Sequence, residues 1–293
     1  MEPNRGTVEG DWFYEEDQGS TRFGIRIAEH LHSETSPWQK IDVYRSEFHG
    51  VVLTLDDLVM LTSRDEFVYH EMLVHVPLCA MEAPRDVLII GGGDCGCIRE
   101  VLKHPGIERV VQCEIDERVT RVSEQFFDWV TPTIADPRVE LVFDDGVEYI
   151  EKNQESFDLI IVDSTDPVGP AVGLFLSDFY RRAGAALRQG GVMVAQTEAP
   201  FWYPVELGRI HAQMRKAFDH VDHYWGTIPT YPSGSWTWGF ASNSRRPADF
   251  FDVARAQRIE RSTRYWNASI QSACFQLPNF VRQAIDGRDP FSR

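Results

Sequence analysis

The chain has 293 residues, 43% of them hydrophobic, and its 29 basic and 45 acidic side chains give a formal charge of −16. That length supports one large domain, or a main domain with a small appendage, around a real core. The acidic balance argues against a nucleic-acid partner, which needs a basic footprint, and is compatible with a polycationic ligand.

At the N-terminus, Met1–Gly6 lacks the apolar core of a secretory leader. No apolar run approaches the about 18 residues of a membrane span. A soluble, cytoplasmic protein without a membrane partner is expected. The first legible element is Trp38–Arg45, which alternates as a half-buried strand does. Val51–Leu55 and Leu58–Ser63 read as a β-hairpin turning at Asp56-Asp57. Phe67–Leu78 has helical spacing. From Arg85 onward strands alternate with helices. The strands are Val87–Ile90, Arg109–Glu114, Val139–Phe143, Leu159–Val162 and Val192–Gln196, each followed by a helical segment. Such alternation implies a mostly parallel sheet covered on both faces. Val221–Ile228 and Trp236–Ala241 read as an antiparallel pair, and Arg261–Ile285 as partly helical. The expected fold is α/β, with an N-terminal β domain over residues 1–75 and a Rossmann-like domain over 76–293.

The most informative segment is Asp86–Glu100. An apolar strand runs into Gly91-Gly92-Gly93, and Asp94 follows where a helix should start. Glycine permits the sharp turn and the close approach of a ligand, and this unit cradles nucleotides or nucleosides. A helix N-terminus favours anions, but Asp94 opposes that. A pyrophosphate would be repelled there, and a sulfonium or an ammonium attracted. The other strand ends are acidic too: Glu114 and Asp116, Asp144-Asp145, Asp163 and Asp166, Glu198. Ligands of open α/β sheets bind beyond the carboxyl ends of the strands, so these acids describe a negative cleft.

Glu114 lies 18 residues after Gly96 and can accept hydrogen bonds from both ribose hydroxyls. The spacing alone also fits a nicotinamide dinucleotide. Asp145 suits either an adenine amino group or the N-cap of a helix starting at Gly146. Asp163 and Asp166, in a turn set by Pro167, would raise each other's proton affinity and attract cations. An ammonium with a pKa of roughly 10 is no nucleophile until it loses a proton, and Asp163 is the candidate base. Tyr69 suits either a hydrogen bond to that amine or packing. Tyr231 stands in a loop after Pro229, and Trp236 and Trp238 suit the core. His70 and His75 do not share the face of an i, i+4 metal pair, so no metal site is expected. Cys79, Cys95, Cys97, Cys113 and Cys274 have no framework spacing and read as reduced, mostly buried thiols.

Together these residues resemble the spermidine synthase family of aminopropyltransferases. The segments that carry the likeness are Leu61–Met72, Val87–Glu100, Glu114-Ile-Asp116, Asp144-Asp-Gly146, Asp163–Pro170 and Ile228–Gly234. Arg264-Tyr-Trp-Asn-Ala and Phe275-Gln-Leu-Pro look like its bacterial branch. The resemblance implies a methyltransferase-like Rossmann domain behind the small β domain. It implies decarboxylated S-adenosylmethionine as donor, putrescine as acceptor, and a homodimer or homotetramer. Gln39, Gly91, Glu114, Asp145 and Gly146 would hold the nucleoside. Asp94 and Asp163 would hold the donor's amine, with Asp163 also the base. Tyr69, His70, Asp166 and Tyr231 would bind the acceptor. The chain departs from the family pattern at Asp57, Met60, Cys95 and Val172-Gly173. Three other readings compete: carboxyaminopropyl transfer from intact S-adenosylmethionine or a different amine acceptor, a nicotinamide-dependent oxidoreductase, and a polyamine binder without turnover.

Overall fold

Four strands precede the first one legible in the sequence. In the computed structural model, which describes residues 5–17, 19–167 and 169–292, β1 (Arg5–Glu9), β2 (Trp12–Asp17) and β3 (Thr21–Arg26) form an antiparallel three-stranded sheet. Met1–Asn4 and Val168 lie outside the described residues. A second sheet is built from β4 (Glu29–Thr35), β5 (Lys40–Ser46), β6 (Gly50–Leu55) and β7 (Leu58–Thr62) in sequential order. The β6–β7 hairpin turns at Asp56 and Asp57, whose φ values of 49° and 63° are the left-handed pair that a type I′ turn requires. Lys40 holds the turn, its amide on Asp56 Oδ1 and its ammonium on Asp57 Oδ1, each at 2.9 Å.

Helix α1 (Glu66–Cys79) straddles residue 75 and joins this part to the rest. It is buried almost throughout and packs on the sheet that follows, so it shows no amphipathic stripe. Glu71 on α1 accepts the backbone N–H groups of Arg264, Tyr265 and Trp266, each at 2.8 Å. The C-terminal motif is thus an anchor for α1.

The main sheet contains β8 (Asp86–Gly91), β9 (Arg109–Glu114), β10 (Val139–Phe143), β11 (Phe157–Asp163), β12 (Leu187–Gln196), β13 (His220–Gly226) and β14 (Trp236–Ser242). Its order is β10-β9-β8-β11-β12-β14-β13. The first five are parallel, and β14 and β13 close the edge antiparallel, as the sequence pattern predicts. Between them run α2 (Gly96–Leu102), α3 (Glu117–Phe126), α4 (Val130–Ile134), α5 (Gly146–Lys152), α6 (Ser177–Ala186) and α7 (Pro204–Met214). The tail adds α8 (Val253–Ile259), α9 (Ala268–Ala273) and α10 (Asn279–Ile285). Apolar clusters cover both faces of the sheet. The chain runs from β8 to β9 and β10 on one side and then crosses to β11 on the other, so a crevice opens at the carboxyl end of β8, where the strand order reverses. Among the described residues no helix is long and apolar enough to cross a membrane.

Candidate active site

A cavity of about 260 Å³ opens over the carboxyl ends of β8 to β11. Gln39, Tyr69, His70, Gly91, Asp94, Glu114, Asp145, Gly146, Asp163 and Tyr231, all expected from the sequence, line it. Gly91 and Gly92, at φ of +82° and +67°, make the turn after β8. A Cβ on Gly92 would stand 2.9 Å from Asp163 Oδ2, so the turn lets the backbone pass beside that carboxylate.

The nucleoside-sized end is built where the two parts of the chain meet. Glu114 ends β9 and is buried, and its Oε1 accepts the Asp116 N–H at 2.9 Å. Burial raises its pKa to about 7 against the pull of that N–H. Asp116 caps α3 through the Arg118 N–H, and its other oxygen accepts the Ser36 hydroxyl at 2.7 Å and the Gln39 amide at 3.0 Å. Asp145 both lines the cavity and caps α5, accepting the Val147 N–H at 2.7 Å. The N-cap reading of that residue holds.

The opposite end is a charge network. Asp94 Oδ1 accepts the Gly96 N–H at 2.7 Å and lies 3.1 Å from His70 Nε2. His70 Nδ1 lies 2.7 Å from Glu66 Oε2, and Arg99 forks onto the same Glu66 at 2.8 and 3.0 Å. Burial opposes charging His70, yet the two carboxylates raise its pKa well above the usual value. Asp163 lies beyond this network. Burial and then Asp94 raise its pKa to about 6, while His70, the Cys97 thiol and the Tyr69 hydroxyl restrain the rise. Tyr69 packs edge-on to His70 and faces Tyr231 and Trp238.

A second cavity of about 50 Å³ shares Met60, Tyr69, Ser164, Thr165 and Tyr231 with the first. Asp166 lies here and not in the larger cavity. The expected mutual effect of Asp163 and Asp166 is therefore corrected. Burial and then Asp17 raise Asp166 to about 6, whereas the dominant neighbour of Asp163 is Asp94. The turn at Pro167 sends the two carboxylates into different chambers. Glu15 and Asp17 from β2 line the smaller one, and buried Glu198 lies behind it with its pKa raised well above the usual value by burial and Asp166. The sequence reading missed Glu15 and Asp17, although the run Trp12-Phe-Tyr-Glu-Glu-Asp17 carries both an aromatic and an acidic signal. It also missed Glu66 and Arg99. Asp144 stands outside both cavities, within 3.7 Å of Lys152. The five cysteines are free and buried, and Cys97 adds a polar contact, donating to Asp163 Oδ2 at 3.2 Å.

A doubly wound sheet with a glycine turn, acidic strand ends and a small β appendage defines a Rossmann-type enzyme for a cationic, nucleoside-like ligand. Comparison with known proteins sharpens this. Residues 66–252 match the spermine/spermidine synthase domain, and residues 11–63 match the spermidine synthase tetramerisation domain. The polyamine aminopropyltransferase of Thermoanaerobacter sp. (strain X514) is 43% identical over 275 residues, covering 94% of this chain and 98% of the relative. That of Alkaliphilus metalliredigens is 40% identical over 277 residues, covering 94% and 98%. A crystal structure of spermidine synthase with the transition-state analogue AdoDATO superposes with a TM-score of 0.92 at 36% identity, over 98% of both chains. Spermidine synthase from Thermotoga maritima gives 0.90 at 36% identity, over 98% and 97%. The chain belongs to the spermidine synthase family and is an aminopropyl-transferring transferase. The nicotinamide reading of Gly91–Gly96 is thereby set aside.

Proposed function

We propose that the enzyme transfers an aminopropyl group from decarboxylated S-adenosylmethionine to putrescine, giving spermidine and methylthioadenosine. The observation that carries this is a half-buried carboxylate, Asp163, lining the larger cavity between Asp94 and Tyr69 and close to a second acidic chamber. In this reading Glu114 holds the ribose hydroxyls and Asp145 the adenine amino group, with Gln39, Gly91 and Gly146 framing the nucleoside. A Cβ on Gly146 would meet Ile90 at 2.5 Å, so only glycine keeps that wall closed. Asp94 and Asp163 hold the donor's ammonium. Tyr69, His70, Asp166 and Tyr231 bind the acceptor, and Glu15 and Asp17 face its far ammonium.

The acceptor nitrogen attacks the carbon beside the sulfonium in line. The new C–N bond takes the nitrogen lone pair, the C–S pair returns to sulfur, and a neutral thioether leaves. The chain then has two tasks, positioning and proton removal. Asp163 takes the proton, and its raised pKa suits a base working near neutrality. The carboxyaminopropyl alternative needs a cation for the intact donor's carboxylate. Arg99 is already committed to Glu66 and Glu100, so the decarboxylated donor fits better. The match to a tetramerisation domain over residues 11–63 supports a homodimer or homotetramer assembled through the N-terminal sheets.

The test is incubation with each donor and a series of diamines, with products identified by mass. Spermidine and methylthioadenosine from putrescine and the decarboxylated donor are expected. A folded enzyme that forms products only from the intact donor, or only with another amine, overturns the assignment.

A further inference from the structure

Behind the glycine turn, three metal-ligating groups meet. A ring nitrogen of His70, the sulfur of Cys97 and a carboxylate oxygen of Asp163 all lie within 4.8 Å of one another. His70 and Cys97 are buried, at 2% and 0% exposure, and His70 and Asp163 line the larger cavity. We propose that this His–Cys–Asp cluster is an inhibitory site for a thiophilic divalent cation, such as Zn²⁺ or Cd²⁺, which displaces the substrate ammonium from Asp163.

The donor set is the first argument. Imidazole, thiolate and carboxylate are the ligands that zinc takes, and three protein ligands leave a fourth position for water. Sulfur and nitrogen select against hard Mg²⁺ and Ca²⁺, which prefer all-oxygen sites. Orientation is the second. Glu66 Oε2 lies 2.7 Å from His70 Nδ1, the carboxylate–imidazole pairing that fixes a ligating ring and reserves Nε2 for the ion. Nε2 faces Asp94 Oδ1 at 3.1 Å, so a further oxygen stands on the same side. Space is the third. A Cβ on Gly96 would fall 2.3 Å from the His70 ring, so the ring occupies room that only glycine at that position leaves. Binding is an exchange without redox change. The cation gains bonds to sulfur, nitrogen and oxygen, and the thiol proton and the Nε2 proton pass to solvent.

The binding claim stands apart from the choice of donor and acceptor, whereas the inhibition rests on the proposed role of Asp163. The first experiment therefore needs no substrate. Untagged protein is titrated with Cd²⁺, following the sulfur-to-cadmium charge-transfer absorbance in the ultraviolet, and in parallel by calorimetry. One equivalent per chain is expected. Cys97→Ser should lose the absorbance and bind at least tenfold more weakly, Cys95→Ser should bind as the parent does, and Mg²⁺ should give no signal. Unfolding curves for each variant establish that it is folded. Identical isotherms for the parent and folded Cys97→Ser, or no stoichiometric binding by the parent, overturn the site. In turnover assays Zn²⁺ should inhibit the parent at least tenfold more strongly than Cys97→Ala. A parent enzyme that binds one equivalent and keeps its full rate overturns the inhibitory role. Absence of turnover before any metal is added counts against the proposed donor and acceptor instead.

Discussion

The two chambers differ in how their negative charge is compensated. In the larger one, the acids of the His70–Arg99 network have fixed partners. Asp94 has His70 and the Gly96 N–H, Glu66 has His70 and Arg99, and Glu100 has His75, Arg99 and Lys103. These partners hold Asp94, Glu66 and Glu100 below the usual carboxylate range despite burial. In the smaller chamber, Asp17 Oδ2 and Glu198 Oε2 have no hydrogen-bond partner among the described residues, and burial raises Glu15, Asp166 and Glu198. A compensated carboxylate stays ionised and orients what touches it. An uncompensated one costs free energy until a cation arrives. The His70–Arg99 wall of the larger chamber is thus preformed, while Glu114 at its nucleoside end and the acids of the smaller chamber are completed by their ligands. Asp163 stands between these regimes: the Cys97 thiol and the Tyr69 hydroxyl bond it, yet burial raises it to about 6, as it does Asp166.

The largest expected effect tests that intermediate position. Asp163→Asn keeps the shape but cannot take a proton, and loss of a general base costs on the order of 10²–10⁴ in rate. The turnover number at saturating donor should fall by that factor, with a cooperative unfolding curve showing the variant folded, and recover partly as pH rises and free amine accumulates. Near-normal turnover at neutral pH would remove Asp163 as the base. Next comes Glu114→Gln, at the nucleoside end of the larger chamber. An amide forfeits charge-assisted hydrogen bonds to ribose, each worth roughly 1.5–3 kcal/mol. Calorimetry should show methylthioadenosine binding about 10–100-fold more weakly. Unchanged affinity would mean that the nucleoside does not reach Glu114.

The same contrast governs what the sequence reveals. The larger chamber stands on consecutive strand ends of a parallel sheet, and each of Asp94, Glu114, Asp145 and Asp163 follows an apolar run that marks its own strand. Local pattern and site coincide there. The smaller chamber is assembled across the chain, from β2, the turn after β11 and the loop after β12. β4 reads Glu-His-Leu-His-Ser-Glu-Thr, with a single aliphatic residue, so it gives no alternating signal. Its pairing with β5 supplies what its own sequence does not. Glu66 and Arg99 escaped notice for another reason. Glu66 lines the cavity through its place beside His70 and Arg99 acts through Glu66, and their i, i+4 and cross-helix pairing resembles an ordinary surface ion pair until burial is known.

A smaller effect isolates the chamber that the ligand completes. Asn at position 17 still accepts the Tyr203 hydroxyl, now 2.6 Å from Asp17 Oδ1, but no longer offers a charge. Asp17→Asn should raise the KM for the diamine about tenfold, the scale of one partly screened ion pair, and leave the KM for the donor unchanged. A shift in donor KM alone would place the diamine elsewhere.

The smallest effect concerns stability. Glu15 and Glu114, raised to about 7, and Asp163 and Asp166, raised to about 6, bind protons more tightly in the folded chain than in the unfolded one. Stability from such groups is fully present below their unfolded pKa values, near 4, and is lost as pH rises through 6 to 7. Over pH 5.5 to 8 these acids therefore pull the melting temperature of the ligand-free enzyme down, while His49, His104, His211 and His223, held below the usual histidine range by burial, push it up, with about 1 kcal/mol moving the midpoint by about 2–4 °C. The lowered acids Asp94, Glu66 and Glu100 act with the opposite sign, and their contribution disappears only below about pH 4.5. Glu15→Gln still accepts the Val59 N–H, held at 2.8 Å in the parent, and removes one uncompensated acid, so its melting temperature should gain on the parent's as pH rises from 5.5 to 8. Glu66→Gln breaks a compensated network and should lower the melting temperature across that range without changing the slope. Equal slopes for the parent and Glu15→Gln would show that the smaller chamber already holds its compensation in the free enzyme.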